Sequence, residues 1–238
     1  MVPNFRTRNS TLSVVIPVGP LKHHQKWLHL ALESIVHQTL YPIEIILIDD
    51  MANLRNIPGV TIYKTPWNLG PTACWNIGVA IAKTNCVFIM SSDDTLEPEC
   101  LSQCMRKYKI ERADGFYYPT LRYLYEPGVT PKYGCPPNGS VVVQSAGVGL
   151  VTKHLWRITG GLPHNLPIGA DIAFKDILHK YGIASCYSVG GGDSALYNFR
   201  VHKEQNSNMW EGWGVTAPNL ISRSVDVWKR PNWGRFEP

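Results

Sequence analysis

The chain has 238 residues, 44% of them hydrophobic and 17% charged. That is enough to bury one sizeable core and carry a small appendage, so one domain and a tail are expected. Apolar runs such as Ile45–Ile48 are only a few residues long, far short of the roughly 20 needed to cross a bilayer. The polar stretch Met1–Ser10 has no apolar leader segment, so a soluble, cytoplasmic protein is expected. A net charge of +5 favours an anionic substrate, and would also favour nucleic acid or a membrane surface.

Leu12–Pro17 is apolar and β-branched and is stopped by Gly19-Pro20, which reads as a buried first strand. Trp27, Leu28, Ala31, Leu32, Ile35 and Val36 then recur at helical spacing and predict one helix from about His24 to Gln38. Ile43–Ile48 is the second strand, with Asp49 and Asp50 at its carboxyl end, and Val60–Tyr63 is a third. Gly70 before Pro71 starts the next helix, whose apolar face is Ala73, Ile77, Ala80 and Ile81. Cys86–Met90 is a fourth strand ending in Ser91-Ser92-Asp93-Asp94, and Glu97-Pro98-Glu99 opens a helix through about Arg112. Strand and helix alternate, which is the pattern of a parallel α/β sheet. Ligands in such sheets gather outside the carboxyl ends of the strands, where Asp49, Asp50, Asp93 and Asp94 all fall, and four carboxylates on one edge call for a cation.

From Gly115 to Val143 the chain is rich in Pro, Gly and Tyr, with alternation that predicts antiparallel strands and acceptor-side loops. Ala170–Tyr181 is helical again, with Phe174, Ile177, Leu178 and Tyr181 on one face, Asp171 in the first turn and Gly182 as the stop. After about Asn206, Trp210, Trp213, Trp228 and Trp233 lie among Pro, Gly and Arg. The division expected is therefore residues 1–205 as the main domain and 206–238 as a tail packing on the core or on the acceptor side. Six cysteines (Cys74, Cys86, Cys100, Cys104, Cys135 and Cys186) form no CxxC pair and read as reduced, mostly buried thiols.

Five segments in this order, Val14–Pro17, Ile43–Asp50, Asn68–Gly78, Val87–Asp94 and Gly160–Asp171, resemble the signposts of the inverting family 2 glycosyltransferases. The resemblance runs from about Leu12 to Asn206 and implies a GT-A fold, a Rossmann-like α/β architecture with a mixed, mostly parallel sheet flanked by helices. By that resemblance Pro17 and Val18 end the first strand near a nucleotide, with Gly19-Pro20 in place of the usual aromatic-Asn. Asp49 and Asp50 are implied to bind its base and ribose. Asn68-Leu69-Gly70 and Asn76-Ile77-Gly78 match the two Asn-x-Gly segments that line the nucleotide pocket. Ser91-Ser92-Asp93-Asp94 aligns with the family's Asp-x-Asp-Asp, implying Asp93 at the ribose and Asp94 at a divalent metal, Mn²⁺ or Mg²⁺. Gly160-Gly161-Leu162 and Gly169-Ala170-Asp171 resemble its Gly-Gly-aromatic and Glu-Asp segments, which makes Asp171 the general base; Asp176 is a weaker substitute. Tyr197-Asn198-Phe199-Arg200-Val201-His202 resembles its Tyr-Arg-x-His, implying Arg200 at the diphosphate and His202 at the metal.

Each of these residues has a structural alternative. Asp49 and Asp50 also suit the capping of a loop, Ser92-Asp93-Asp94 an N-cap, and Asp171 the stabilisation of a helix dipole. The remaining histidines, His23, His24, His29, His37, His154, His164 and His179, read as solvated.

The reading is a metal-dependent transferase moving a sugar from a nucleoside diphosphate-sugar, with a lean to UDP, to a glycan or polysaccharide hydroxyl. Trp228, Lys229, Arg230, Trp233 and Arg235 would suit a hydroxylated base in DNA as acceptor. Ser91, Ala170 and Gly19-Pro20 leave open a non-catalytic descendant that only binds nucleotide or glycan. A dinucleotide-dependent oxidoreductase is excluded, because no G-x-G-x-x-G follows the first strand.

Overall fold

The computed structural model describes residues 11–130, 136–143, 147–163, 170–191 and 194–204, the side chains of 171 and 172 excepted. In chain order the first half comprises β1 (Leu12–Val18), α1 (Lys22–Lys26), α2 (Leu28–Val36), β2 (Glu44–Asp49), β3 (Thr61–Lys64), α3 (Pro71–Ile81), β4 (Cys86–Ile89), β5 (Thr95–Leu96) and α4 (Cys100–Glu111). There follow β6 (Gly115–Pro119), β7 (Leu121–Tyr125), β8 (Val141–Val142), β9 (Gly149–Thr152), α5 (Lys153–Thr159), α6 (Ala170–Lys180), β10 (Ser185–Val189) and β11 (Tyr197–Val201).

Among the described residues seven strands form one sheet in the order β10-β6-β9-β4-β1-β2-β3, and β5-β11-β7-β8 form a second. In the large sheet β1 runs parallel to β2 and β4, β2 to β3 and β6 to β10, while β9 is antiparallel to both β4 and β6. The parallel pairing expected from the alternation is present, within the mixed, mostly parallel sheet that the family resemblance implies.

Successive side chains of a strand point to opposite faces, and both faces here are covered. Val14, Ile16, Val18, Ile45, Leu47, Phe88 and Met90 pack with Leu28, Ala31 and Ile35 of α2 and with Cys100, Leu101, Cys104 and Met105 of α4. Val15, Ile46, Ile48, Val87 and Ile89 pack on the other side with α3, with Leu155 and Trp156 of α5, and with Phe174 and Leu178 of α6. Double-sided burial explains why the strands read as unbroken apolar runs.

Four expectations change. The single helix over His24–Gln38 is two helices, because the backbone at Trp27 leaves helical geometry (φ −109°, ψ 1°). The fourth helix begins at Cys100 rather than Glu97, since Thr95–Leu96 is drawn into β5 by pairing with β11. The region 115–143 is not purely antiparallel: β6 and β7 each have a parallel partner that comes much later in the chain.

On α3 the buried residues are Cys74, Gly78 and Val79, while Ala80 and Ile81 are exposed. The cause is Gly78, which lets the helix backbone approach β1. A Cβ there would lie 2.1 Å from Val15 Cγ1 and 3.2 Å from Val15 Cβ. Val15 is β-branched on a fully buried strand and cannot swing away. Gly78→Ala should therefore destabilise the protein by about 1–3 kcal/mol, to be read as a lower midpoint in chemical denaturation; an unchanged midpoint would contradict this packing.

Cys74, Cys86, Cys100 and Cys104 are buried free thiols and Cys186 is half-buried. Burial pushes the Cys86 and Cys186 thiols up to about 11, which leaves them poor nucleophiles. Cys135, His164 and the segment 206–238 with its four tryptophans lie outside the described residues. Among the described residues no helix is long and apolar enough to cross a membrane.

Candidate active site

The site is built where the segment after β4 meets β11. Strand β11 pairs antiparallel with β5 through Tyr197–Leu96 and Asn198–Thr95, which carries Arg200 and His202 past the Asp93-Asp94 turn. Asp94 closes this junction. Its Oδ1 accepts from the Arg200 backbone N–H at 2.7 Å and its Oδ2 from the Tyr197 hydroxyl at 2.7 Å. The same tyrosine oxygen accepts from Ser91 N at 3.3 Å. Asp94 is 1% exposed and Tyr197 fully buried. Burial and then the neighbouring Asp93 charge push the Asp94 carboxyl well above its usual range, against the pull of the bonds from Arg200 and Tyr197.

Asp93 points the other way, with its side chain 20% exposed. Its Oδ2 lies 3.0 Å from His202 Nε2, and His202 Nδ1 lies 3.3 Å from Glu204 Oε2. The His202 side chain is itself only 1% exposed, because the Trp27 ring sits 4.4 Å from it. The interruption between α1 and α2 is thus what brings an indole against the site. Arg200 donates from Nε to the Asp93 carbonyl at 2.9 Å, with its guanidinium 5.2 Å above the Trp27 ring and Nη1 4.0 Å from Glu126. Lys26 reaches the same Glu126 at 3.3 Å.

The other acids of the sheet edge are engaged locally. Asp49 accepts from the backbone N–H groups of Ala52, Asn53 and Leu54 at 2.7, 3.0 and 2.9 Å. These bonds hold a turn in which Met51 (φ 65°) and Asn53 (φ 56°) adopt the left-handed conformation, uncommon without glycine. Asp50 accepts from the Thr65 hydroxyl, Leu69 N and Gly70 N at 2.8–2.9 Å, and so ties the loop before α3 to the end of β2. Gly70 has φ 81°, which favours glycine, and Asn68 Oδ1 adds a second bond to its N–H at 3.1 Å. Both aspartates are 2% exposed and do the loop-capping job that a carboxylate can do with several lone pairs at once. Pro17 and Val18 are buried at the end of β1 beside them.

Asn76 exchanges a pair of hydrogen bonds with the Leu162 backbone, Nδ2 to O at 2.8 Å and N to Oδ1 at 2.9 Å. That pair clamps the Gly160-Gly161 turn onto α3. Gly161 (φ 79°) fits there because a Cβ would come within 2.3 Å of Asn76 Oδ1.

Asp171 lies in the first turn of α6. The turn 181–184 joins α6 to β10, closed by Gly182 N to His179 O and Ile183 N to Leu178 O. Since β10 runs parallel to β6, which is oriented like β4 through their shared antiparallel neighbour β9, a helix returning into β10 has its N-terminus at the carboxyl edge of the sheet. That edge also holds Asp93 and Asp94.

Among the candidates, therefore, Asp93, Asp94, Arg200 and His202 are brought together, Asp49, Asp50, Asn68 and Gly70 form a neighbouring loop system, and Asn76 stands apart with Leu162. Two histidines read as solvated are not: His23 and His24 are half-buried, their rings 4.2 Å apart edge to face, and His23 is 5.8 Å from His202. His29, His37, His154 and His179 are exposed. Tyr197, Trp27, Glu126 and Glu204 were also missed as site residues. Tyr197 had a signal, since it opens the Tyr-Asn-Phe-Arg-Val-His segment; the others are joined to it only by folding.

The donor set tests a divalent cation. Asp94 has both oxygens taken by protein donors, whereas Asp93 Oδ2 and His202 Nε2 offer one oxygen and one nitrogen 3.0 Å apart. An O/N pair suits Mn²⁺, whose remaining positions a diphosphate can fill. Among the described residues no group of three or more His, Cys, Asp or Glu is gathered for a metal, so the pair fits a cation that a substrate helps to hold.

The sheet order and the acids at its carboxyl edge are those of a GT-A fold. Residues 13–148, more than half of the chain, match the family model "Glycosyl transferase family 2", and the chain belongs to that family. Among solved structures it is similar to residues 1–349 of S. aureus TarS in complex with UDP-GlcNAc, at 15% identity and TM-score 0.61 over 91% of this chain and 64% of that one. The UDP complex gives 16% identity and TM-score 0.60 over the same shares. A further TarS 1–349 structure gives 18% identity and TM-score 0.59 over 79% of this chain and 60% of that one. The chain thus spans under two thirds of the length of these structures. No curated protein matches it.

Proposed function

We propose that the chain is a metal-dependent, inverting glycosyltransferase that moves a sugar from a nucleoside diphosphate-sugar, UDP-sugar favoured, to the hydroxyl of a glycan or polysaccharide. The observation that carries this reading is the meeting of Asp93 and His202 at 3.0 Å, beside Arg200, at the carboxyl edge of the sheet. The preference for uracil draws support from the TarS complexes with UDP and UDP-GlcNAc.

The residues divide the work. Asp49 and Asp50, holding the loops at 50–54 and 65–70, shape the nucleoside pocket with Pro17, Val18, Asn68 and Gly70. Asn76 supports it from α3. Asp93 and His202 would hold Mn²⁺ or Mg²⁺, which neutralises the departing diphosphate. Arg200 adds a guanidinium to the same phosphates. Asp171 takes the proton from the acceptor hydroxyl as that oxygen attacks the anomeric carbon on the face opposite the diphosphate. Asp94 acts one step back, fixing β11 so that Arg200 and His202 reach the donor.

Calorimetric titration of UDP and UDP-sugars, with and without Mn²⁺, tests the donor. Binding that strengthens about tenfold or more with metal is expected; equal affinity with and without it would remove the cation from the reading.

A further inference from the structure

We infer that His23, on the segment that follows β1, is a binding residue for the donor diphosphate; this rests on the donor reading above. His23 Nε2 is buried and has no hydrogen-bond partner among the described residues. A buried polar nitrogen left without a partner is uncommon and asks for an explanation. The explanation lies in what surrounds it. The ring is 5.8 Å from that of His202, and the charges acting on it are those of His202, Glu204 and Asp93, the groups around the proposed cation. An imidazole nitrogen can donate one N–H to a phosphate oxygen.

Arg200, the other donor proposed for these phosphates, already has partners within the protein. Arg200 Nε serves the Asp93 carbonyl and its Nη1 faces Glu126, which also takes Lys26. A phosphate oxygen entering beside Asp93 and His202 therefore finds His23 Nε2 as a donor with no protein acceptor of its own.

The altered loop after β1 serves the same arrangement. A Cβ at Gly19 would lie 2.3 Å from His24 Nδ1, so glycine at 19 makes room for the His24 ring, and that ring stacks edge to face on His23. Gly19, part of the departure from the family's aromatic-Asn, thus seats His24, and His24 packs on His23.

The test compares UDP with uridine, followed by NMR titration in the presence of Mn²⁺, on wild type, His23→Ala and His23→Gln. His23→Ala should weaken UDP about tenfold or more, as loss of a hydrogen bond to a charged group does, and leave uridine unchanged. His23→Gln, which keeps an N–H donor, should recover part of the loss. Unchanged UDP affinity in His23→Ala, or equal weakening of uridine, overturns the assignment. Wild-type protein that binds no UDP overturns the donor reading and this inference together. A readout that needs no variant to fold is the His23 ring nitrogen resonance of the wild type: it should move with UDP and not with uridine, and a resonance that stays in place with bound UDP overturns the assignment.

Discussion

Asp171→Asn should lower sugar transfer by about 10²–10⁴-fold while leaving the affinity for the donor nucleotide within about twofold of wild type. The amide has nearly the shape of the carboxylate but cannot accept the acceptor's proton. Only the step in which that proton leaves is affected, so the loss belongs in kcat and not in donor binding. The position supports a role at the reaction edge: the first turn of α6 is carried to the carboxyl side of the sheet by the connection from α6 into β10. The measurement is transfer rate beside calorimetric UDP affinity on the same preparation. A variant that transfers at the wild-type rate would return Asp171 to a helix-dipole role, and one that loses UDP binding as well would make it part of the donor pocket.

The second large effect separates two adjacent acids. Asp94→Ala removes the acceptor of both the Tyr197 hydroxyl and the Arg200 N–H in a place that is 1% exposed. The buried Tyr197 hydroxyl and the part-buried Arg200 N–H lose their partner, at about 1–3 kcal/mol each, so a loss of about 2 kcal/mol or more in unfolding free energy is expected, with β11 loosened and Arg200 and His202 displaced. Asp93→Ala should cost about 1 kcal/mol or less in stability, its carboxylate being partly solvated, yet should abolish the gain in UDP affinity that Mn²⁺ brings. Denaturation midpoints and metal-dependent titrations on the pair decide it. If Asp94→Ala is as stable as wild type and alone loses the metal effect, the metal belongs to Asp94, as the family resemblance implies.

The different partners of these two acids show where reading residues in order stops. The alignment of Ser91-Ser92-Asp93-Asp94 locates two acids after a strand, but which carboxylate faces solvent depends on Tyr197 and Arg200, more than 100 positions later, arriving from the other side. Asp49 and Asp50 behave alike: their place at the end of β2 is legible from the apolar run before them, while the backbone N–H groups that occupy them belong to loops whose path only the folded chain defines. The histidines fail for the same reason. His23 and His24 lack any local apolar pattern, and are half-buried where their rings meet each other and His23 meets His202, just past β11.

By itself the amino-acid sequence determined the alternation of buried strands and helices, the carboxyl-edge location of the acids, the starts at Gly70-Pro71 and the stop at Gly182, because each rests on neighbours within a few residues, on side-chain period or on glycine's backbone freedom. The tertiary structure decided the antiparallel insertion of β9, the break at Trp27, the face of α3 that Gly78 presents to Val15, and which of Asp93 and Asp94 is buried against β11. These depend on contacts between residues far apart in the chain, where packing and hydrogen-bond satisfaction override local propensity.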